Sequence, residues 1–96
     1  MDFRSIRHPG LRRLIEDDDE SRVAPDLVVR VRGRLAVLRL ASDIESLIAS
    51  APPGWRVHPL SGDRHGTWSL RVSANWRMTF EVEGEDVVHL HLEDYH

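Results

Sequence analysis

The chain contains no cysteine, no lysine and no long apolar run. Without cysteine it has neither disulfide bonds nor thiolate metal ligands. Because lysine is absent, all the permanently charged basic side chains are arginines. The planar guanidinium group of arginine suits phosphate and carboxylate groups and stays charged near neutral pH. The lack of a membrane-spanning apolar run and of a secretory leader predicts a cytoplasmic protein that does not enter a membrane.

Size and charge limit the classes of protein to consider. Ninety-six residues suffice for one modest core, so we expect a single domain over residues 1–96. The formal net charge is −3, whereas phosphate-binding proteins usually carry a basic excess. Five consecutive acids at 16–20 account for the deficit and are expected to form a solvated loop. The overall charge thus argues mildly against nucleic acid as a partner.

Apolar residues at helical spacing predict two helices in the N-terminal half. Residues 11–15 keep this spacing up to the acidic run. From Leu27 to about Ile48 apolar residues again recur every three or four positions, which predicts one long amphipathic helix. The β-branched residues Val28, Val29 and Val31 at its start are also compatible with a strand. Gly33 lowers the helix propensity of the same segment. Residues 1–6 are predicted to form an edge strand.

After residue 54 the apolar period changes to two, which predicts antiparallel strands. Residues 68–72 and 76–82 carry apolar side chains at even positions and polar ones at odd positions. We expect Val88, Leu90 and Leu92 to continue this pattern in the last strand. The predicted fold class is therefore α+β, with two N-terminal helices packed on an antiparallel β-sheet.

This alternation also predicts which side chains face away from the helices. They are the odd-numbered Arg71, Arg77, His89 and His91. An open face that carries arginine and histidine is a predicted anion-binding surface. We expect Tyr95-His96 to join it, because the preceding strand anchors the end of the chain.

Several groups of residues along the chain resemble those of a known family. They are His58-Pro59-Leu60-x-Gly62-Asp63, Gly66-x-Trp68-Ser69, Asn75-Trp76-Arg77-x-Thr79-Phe80 and Glu93-Asp94-Tyr95-His96. The N-terminal Phe3-x-x-x-x-His8-x-Gly10-Leu11-x-x-Leu14 also fits. In this order they resemble the HigB family of the RelE/ParE superfamily of bacterial toxin–antitoxin systems.

The resemblance implies a RelE-like fold of the microbial-ribonuclease type and an mRNA interferase, an endoribonuclease that cuts messages held in the ribosome. It implies no metal and no cofactor. The implied partner is a HigA-like helix-turn-helix antitoxin that silences the toxin and represses their common promoter. Operator DNA would then be contacted only through the antitoxin.

The resemblance also implies catalytic residues. The family's active-site histidine falls on His58, its arginine on Arg77, and its final tyrosine and histidine on Tyr95 and His96. In RNA cleavage one such group removes the 2′-hydroxyl proton, another protonates the departing 5′ oxygen, and the arginine stabilises the phosphoryl charge.

One position departs from the family pattern. Between Leu60 and Gly62 the family usually has a catalytic lysine, and this chain has Ser61, which carries no charge. We expect Arg64 in the same loop to supply the missing cation, with His65 beside it. Ser61, His65, Arg71 and His91 are the predicted RNA contacts around the catalytic residues.

Three alternatives remain open on the sequence alone. Ser61 in place of lysine could leave a weakened or inactive binding module that acts through the antitoxin or the ribosome. His89 and His91, at alternate strand positions, could hold a metal, although two ligands are weak evidence. The arginines at 30, 32, 34 and 39 either contact ribosomal RNA or an acidic antitoxin segment, or merely solubilise the second helix.

Overall fold

The computed structural model describes residues 1–94, and in that range it has three helices and one five-stranded sheet. The helices are α1 (Pro9–Asp17), α2 (Val28–Leu40) and α3 (Ile44–Ser50). The strands are β1 (Asp2–Phe3), β2 (His58–Pro59), β3 (Trp68–Arg71), β4 (Trp76–Glu83) and β5 (Asp86–Asp94). Their order in the sheet is β1-β5-β4-β3-β2, with β1 parallel to β5 and the other pairs antiparallel. The α+β class is confirmed, but the sheet is mixed.

The expected long second helix is wrong, because two helices occupy that stretch. At Ala41 the backbone becomes extended, with ψ at 138°. The Asp43 carboxylate then accepts a hydrogen bond from the backbone N–H of Ser46 at 2.8 Å and so caps α3. The α-amino group of Met1 donates to three carbonyl groups at the C-terminal end of α2. The helix therefore ends where other groups satisfy its last carbonyls.

A single hydrophobic core lies between the helices and the even-numbered face of the sheet. α2 contributes Val31 and Leu38, and the strands contribute Leu70, Met78 and Phe80, all with essentially no exposed surface. The odd-numbered side chains of β3 and β4 therefore project from the opposite face, as predicted, and this is called the outer face below. Among residues 1–94, no helix combines the length and apolar character that a membrane span requires.

Gly10 lies where the first turn of α1 meets the loop that follows the helix. A Cβ atom at this position would lie 2.4 Å from the backbone oxygen of Arg22. We therefore expect Gly10→Ala to lower the free energy of unfolding by about 1–3 kcal/mol, since backbone must shift to admit the methyl group. Urea denaturation measures this change.

Gly33→Ala is the matched control in α2, because, apart from its neighbours and the backbone of its own helix, no atom of the described residues lies within 4 Å of its Cβ position. There alanine is expected to raise the free energy of unfolding by about 0.5–1 kcal/mol, through helix propensity alone. Equal effects of the two substitutions would contradict the packing argument.

Candidate functional site

Cross-strand pairing gathers most of the predicted site residues on the outer face. Arg71 of β3 lies directly opposite Arg77 of β4, and Arg77 lies opposite Glu93 of β5. Two like charges directly opposite one another destabilise a pair of strands. A bound anion between Arg71 and Arg77 would offset that repulsion, so this row of the sheet is suited to hold a phosphate.

A second row lies next to the first and is more buried than expected. It contains His58, Ser69, Thr79 and His91, which are paired in this order across β2, β3, β4 and β5. Ser69 is 3% exposed and Thr79 only 1%. The prediction of an open face is therefore wrong for the middle of the sheet. The row of Arg71, Arg77 and Glu93 is half-buried and stays partly accessible to solvent.

A β-bulge in β5 sets which side chains reach the outer face. Glu81 pairs with Val88, yet Thr79 pairs with His91, so β5 contains one extra residue in this interval. His89 in the bulge has a left-handed backbone, with φ at 53°. After the bulge, odd-numbered residues of β5 lie opposite odd-numbered residues of β4. Before it, Val88 shares the face of Glu81, so its predicted face is wrong. Its side chain is still buried, at 3% exposed, but lies outside the core cluster that contains Leu90.

Arg64 crosses the outer face and binds Glu93. Its two terminal nitrogens donate to the two carboxylate oxygens at 2.9 and 2.7 Å, and Thr79 Oγ1 donates to the same carboxylate. A bidentate pair of this kind fixes both side chains. The cation that we expected to replace the family's lysine is thus held over the arginine row. The Glu93 carboxylate therefore partly neutralises the positive charge of Arg64.

Glu93 should remain ionised over the whole functional pH range. The Arg64 guanidinium, and after it the Thr79 hydroxyl, lower the pKa of Glu93 from 4.5 to about 2 against the opposing effect of burial. A carboxyl group whose pKa is lowered on folding stabilises the fold above its unfolded pKa. That contribution is lost as pH falls from about 4.5 to about 2.

We therefore expect wild type to be more stable than Glu93→Gln by about 1–2 kcal/mol above pH 4.5, after solvent screening of this partly exposed pair. The difference should shrink as the pH falls toward 2, because the wild-type carboxyl group then takes up a proton. Urea unfolding of both proteins at several pH values measures it. A difference that stays constant down to pH 2 would contradict the assigned cause.

His58 has its ring held in a defined orientation at the exposed rim. Nδ1 lies 2.6 Å from the backbone oxygen of Arg56. A carbonyl oxygen only accepts, so Nδ1 carries the proton, and in the neutral ring Nε2 is left as an acceptor. This tautomer is the one a general base requires.

His91 and His89 do not form the equivalent pair that the sequence suggested. His91 is half-buried, and its ring centre lies 5.9 Å from that of His8, whose Nδ1 accepts from the first turn of α1. Burial, and then the nearby His91, lower the pKa of His8. His89 is exposed and bonds Glu81 instead. Among residues 1–94 no cluster of three or more potential metal ligands occurs.

The remaining predicted residues lie at the rim or beyond it. Ser61 and His65 are exposed and flank a short 3₁₀ turn, Gly62–Arg64. Tyr95 and His96 lie outside the described residues. Their expected place beside Arg77 stays a prediction.

Sequence reasoning gave no role to Glu93 and Thr79. Both belong to the quoted motifs, and both have the odd parity of the outer face. The odd position of Thr79 in the alternating pattern of β4 could have placed it on the outer face. For Glu93 parity was not sufficient, because its contact with Arg64 joins segments 29 residues apart.

The chain is similar to known proteins over nearly its full length. The chain matches a family model described as a RelE-like toxin of the type II toxin–antitoxin system HigB, over residues 4–96. It is 40% identical over 94 residues to a protein named endoribonuclease HigB from Proteus vulgaris, covering 98% of this chain and 99% of the relative.

Solved structures share the fold at low sequence identity. A YafQ mutant from E. coli has a TM-score of 0.56 at 14% identity, covering 95% of this chain and 92% of that one. YafQ from E. coli has a TM-score of 0.54 at 11% identity with the same coverage. These two similarities concern the fold alone.

Proposed function

The chain belongs to the HigB-like family of RelE-like toxins of type II toxin–antitoxin systems, and we propose that it cleaves messenger RNA held in the ribosome. It is an endoribonuclease, as the 40% identity to endoribonuclease HigB over nearly its full length indicates. The ribosome and the message are the proposed partners in the reaction, which takes place in the cytoplasm.

One observation carries the proposal at the level of the site. Arg77 lies directly opposite Arg71 on the outer face, and Arg64 is held across that face by Glu93. His58 lies in the adjacent row, one strand from Arg71 and two strands from Arg77. Cations beside a histidine whose Nε2 is an acceptor are what metal-free RNA cleavage needs. No cofactor enters the scheme.

The proposed reaction uses the nucleophile that RNA itself carries. His58 Nε2 accepts the proton of the 2′-hydroxyl, whose oxygen forms a bond to the adjacent phosphorus. The bond from phosphorus to the 5′ oxygen breaks, and His96 is proposed to protonate that oxygen. Arg77 stabilises the charge on the phosphoryl oxygens, while Tyr95 orients the phosphate. A 2′,3′-cyclic phosphate and a 5′-hydroxyl result, so DNA does not react.

The family has an antitoxin partner, since it is defined by a toxin–antitoxin system. We propose that this partner is a HigA-like helix-turn-helix protein that also binds the operator, so that the toxin meets DNA only through it. A weakened or inactive binding module is not favoured, because the 40% identical relative is named for its activity.

Expressing the chain with and without its antitoxin tests the proposal. Without the antitoxin we expect growth arrest and new message ends that carry 5′-hydroxyl groups. Purified protein should cut a message on translating ribosomes, and a 2′-deoxy sugar at the cleaved position should block the cut. Growth arrest with intact messages would contradict the proposal.

A further inference from the structure

A cleft of about 630 Å³ lies at the end of the β3–β4 hairpin, where α2 approaches the turn between these strands. We name it the arginine cleft. Its charged lining residues are Arg30 and Arg34 of α2 and Arg71 of β3, with Trp55 and the β3–β4 turn completing the wall. No aspartate or glutamate lines it, although the chain has 16 acids against 13 bases.

The three arginines of the cleft, like several other arginines of the chain, have no acidic partner within residues 1–94. Among the described residues, no carboxylate lies within ion-pair distance of any of them. By contrast, Arg32, also on α2, binds Asp18 and Glu20. The cleft therefore concentrates positive charge that no carboxylate of the described residues neutralises by an ion pair.

Arg34 is fixed in place at the centre of the cleft. Its Nε donates to the backbone oxygen of Arg71 at 2.7 Å, and Nη1 donates to that of Arg30 at 3.1 Å. The guanidinium group also stacks over the Trp55 ring, 4.6 Å from its centroid. Burial, and then the neighbouring Arg30, lower the pKa of Arg34. A half-buried cation that is held rigidly, with no carboxylate partner among residues 1–94, is a preorganised anion ligand.

The cleft is continuous with the outer face. Arg71 lines the cleft, and in the register of β3 and β4 it lies directly opposite Arg77. A chain of phosphates that passes Arg77 would therefore meet Arg71 next and then the two arginines of α2. A polymer with regularly spaced negative charges fits this path better than a single small anion does.

We propose that the arginine cleft binds the sugar–phosphate backbone of the RNA strand beside the phosphodiester that is cleaved. The inference rests on the proposed function and extends it, since it names how the enzyme holds nucleotides that flank the cut. Arg30 and Arg34 act as phosphate ligands and take no part in the chemical step.

The test measures binding of 2′-O-methylated single-stranded RNA, which cannot be cleaved, by fluorescence anisotropy at several salt concentrations. Each lost phosphate contact should reduce the slope of log K against log salt by about 0.7, and lower affinity about fivefold at 0.1 M salt. With a nonamer, we expect Arg30→Gln to lose one phosphate contact and the double variant Arg30→Gln/Arg34→Gln to lose two. A trimer that spans only the scissile bond should bind all variants equally.

Arg32→Gln is the matched control, because it removes the same charge from the same helix outside the cleft. It should leave nonamer binding unchanged. Arg30 is exposed, so Arg30→Gln tests the inference even if the double variant fails to fold.

Three results would overturn the inference. They are no measurable nonamer binding by wild type, equal binding by Arg30→Gln and Arg32→Gln, and an effect of Arg30→Gln confined to sedimentation with ribosomes or to an acidic antitoxin peptide. Nonamer binding without any cleavage of messages would instead contradict the proposed function. The two claims therefore fail separately.

Discussion

Arg77→Ala is expected to reduce the rate of message cleavage by about 10²–10³-fold, the usual cost of removing one group that stabilises transition-state charge. Arg77 lies between Arg71 and Glu93 in one row of the outer face, where a phosphate would be held. The measurement is the single-turnover rate on translating ribosomes at saturating enzyme. The loss should appear in this rate, because the charge develops during the chemical step.

Two further variants identify what the arginine supplies. Arg77→Lys keeps the charge but loses the fork of donors, and we expect it to recover only part of the rate. Arg4→Ala is the matched control, since Arg4 is an exposed arginine that pairs with Glu83 and Asp86 at the other end of the β4–β5 hairpin. Wild-type cleavage by a folded Arg77→Ala protein would rule out the proposed role.

Arg64→Ala should reduce cleavage about as severely as Arg77→Ala, if Arg64 supplies the cation that Ser61 lacks. The difficulty is that Arg64 already binds Glu93 through two hydrogen bonds. Removing it also leaves a half-buried carboxylate without its main partner, so stability falls as well. The rate must therefore be compared at a temperature at which both proteins are folded, as established by thermal unfolding.

Ser61→Lys separates the loss of a catalytic cation from the loss of a structural bond. In the Arg64→Ala background it should restore at least about tenfold in rate, because it returns a positive charge to the loop. It should not restore stability, since the lysine is not expected to replace the bidentate bond to Glu93. Recovery of both properties together, or wild-type cleavage by Arg64→Ala alone, would contradict the catalytic role of Arg64.

Much of the layout could be predicted from short stretches of sequence. The alternation at residues 68–71 and 76–82 correctly assigns Arg71 and Arg77 to the outer face and Leu70 and Met78 to the core. A local sequence signal for the break in the predicted second helix was also present, because the Asp43 side chain caps α3 by accepting a hydrogen bond from the backbone N–H of Ser46. This signal was overlooked because apolar residues keep the helical spacing across the break, from Leu27 to Ile48. Periodicity reports which face a residue occupies and is a weaker guide to where a helix ends.

Other features depended on how distant segments meet. The bulge at His89 changes the parity of β5, which brings Glu93 opposite Arg77 and puts the buried Val88 on the face of Glu81. A repeating apolar pattern cannot reveal an inserted residue, because valine and leucine satisfy it in either register. The register of the sheet therefore decided that Glu93 shares a row with Arg71 and Arg77.

By itself, the sequence determined the family, the fold class and the candidate catalytic residues, since these follow from motifs and from periods of a few residues. The tertiary structure alone decided that Arg64 binds Glu93 and that Arg34 bridges α2 to β3. Those contacts join residues 29 and 37 positions apart, and their geometry follows from packing of the whole domain. The alternating pattern of a strand determines which side chains face a possible anion site. The packing of distant segments determines which of those side chains already pair with an acid.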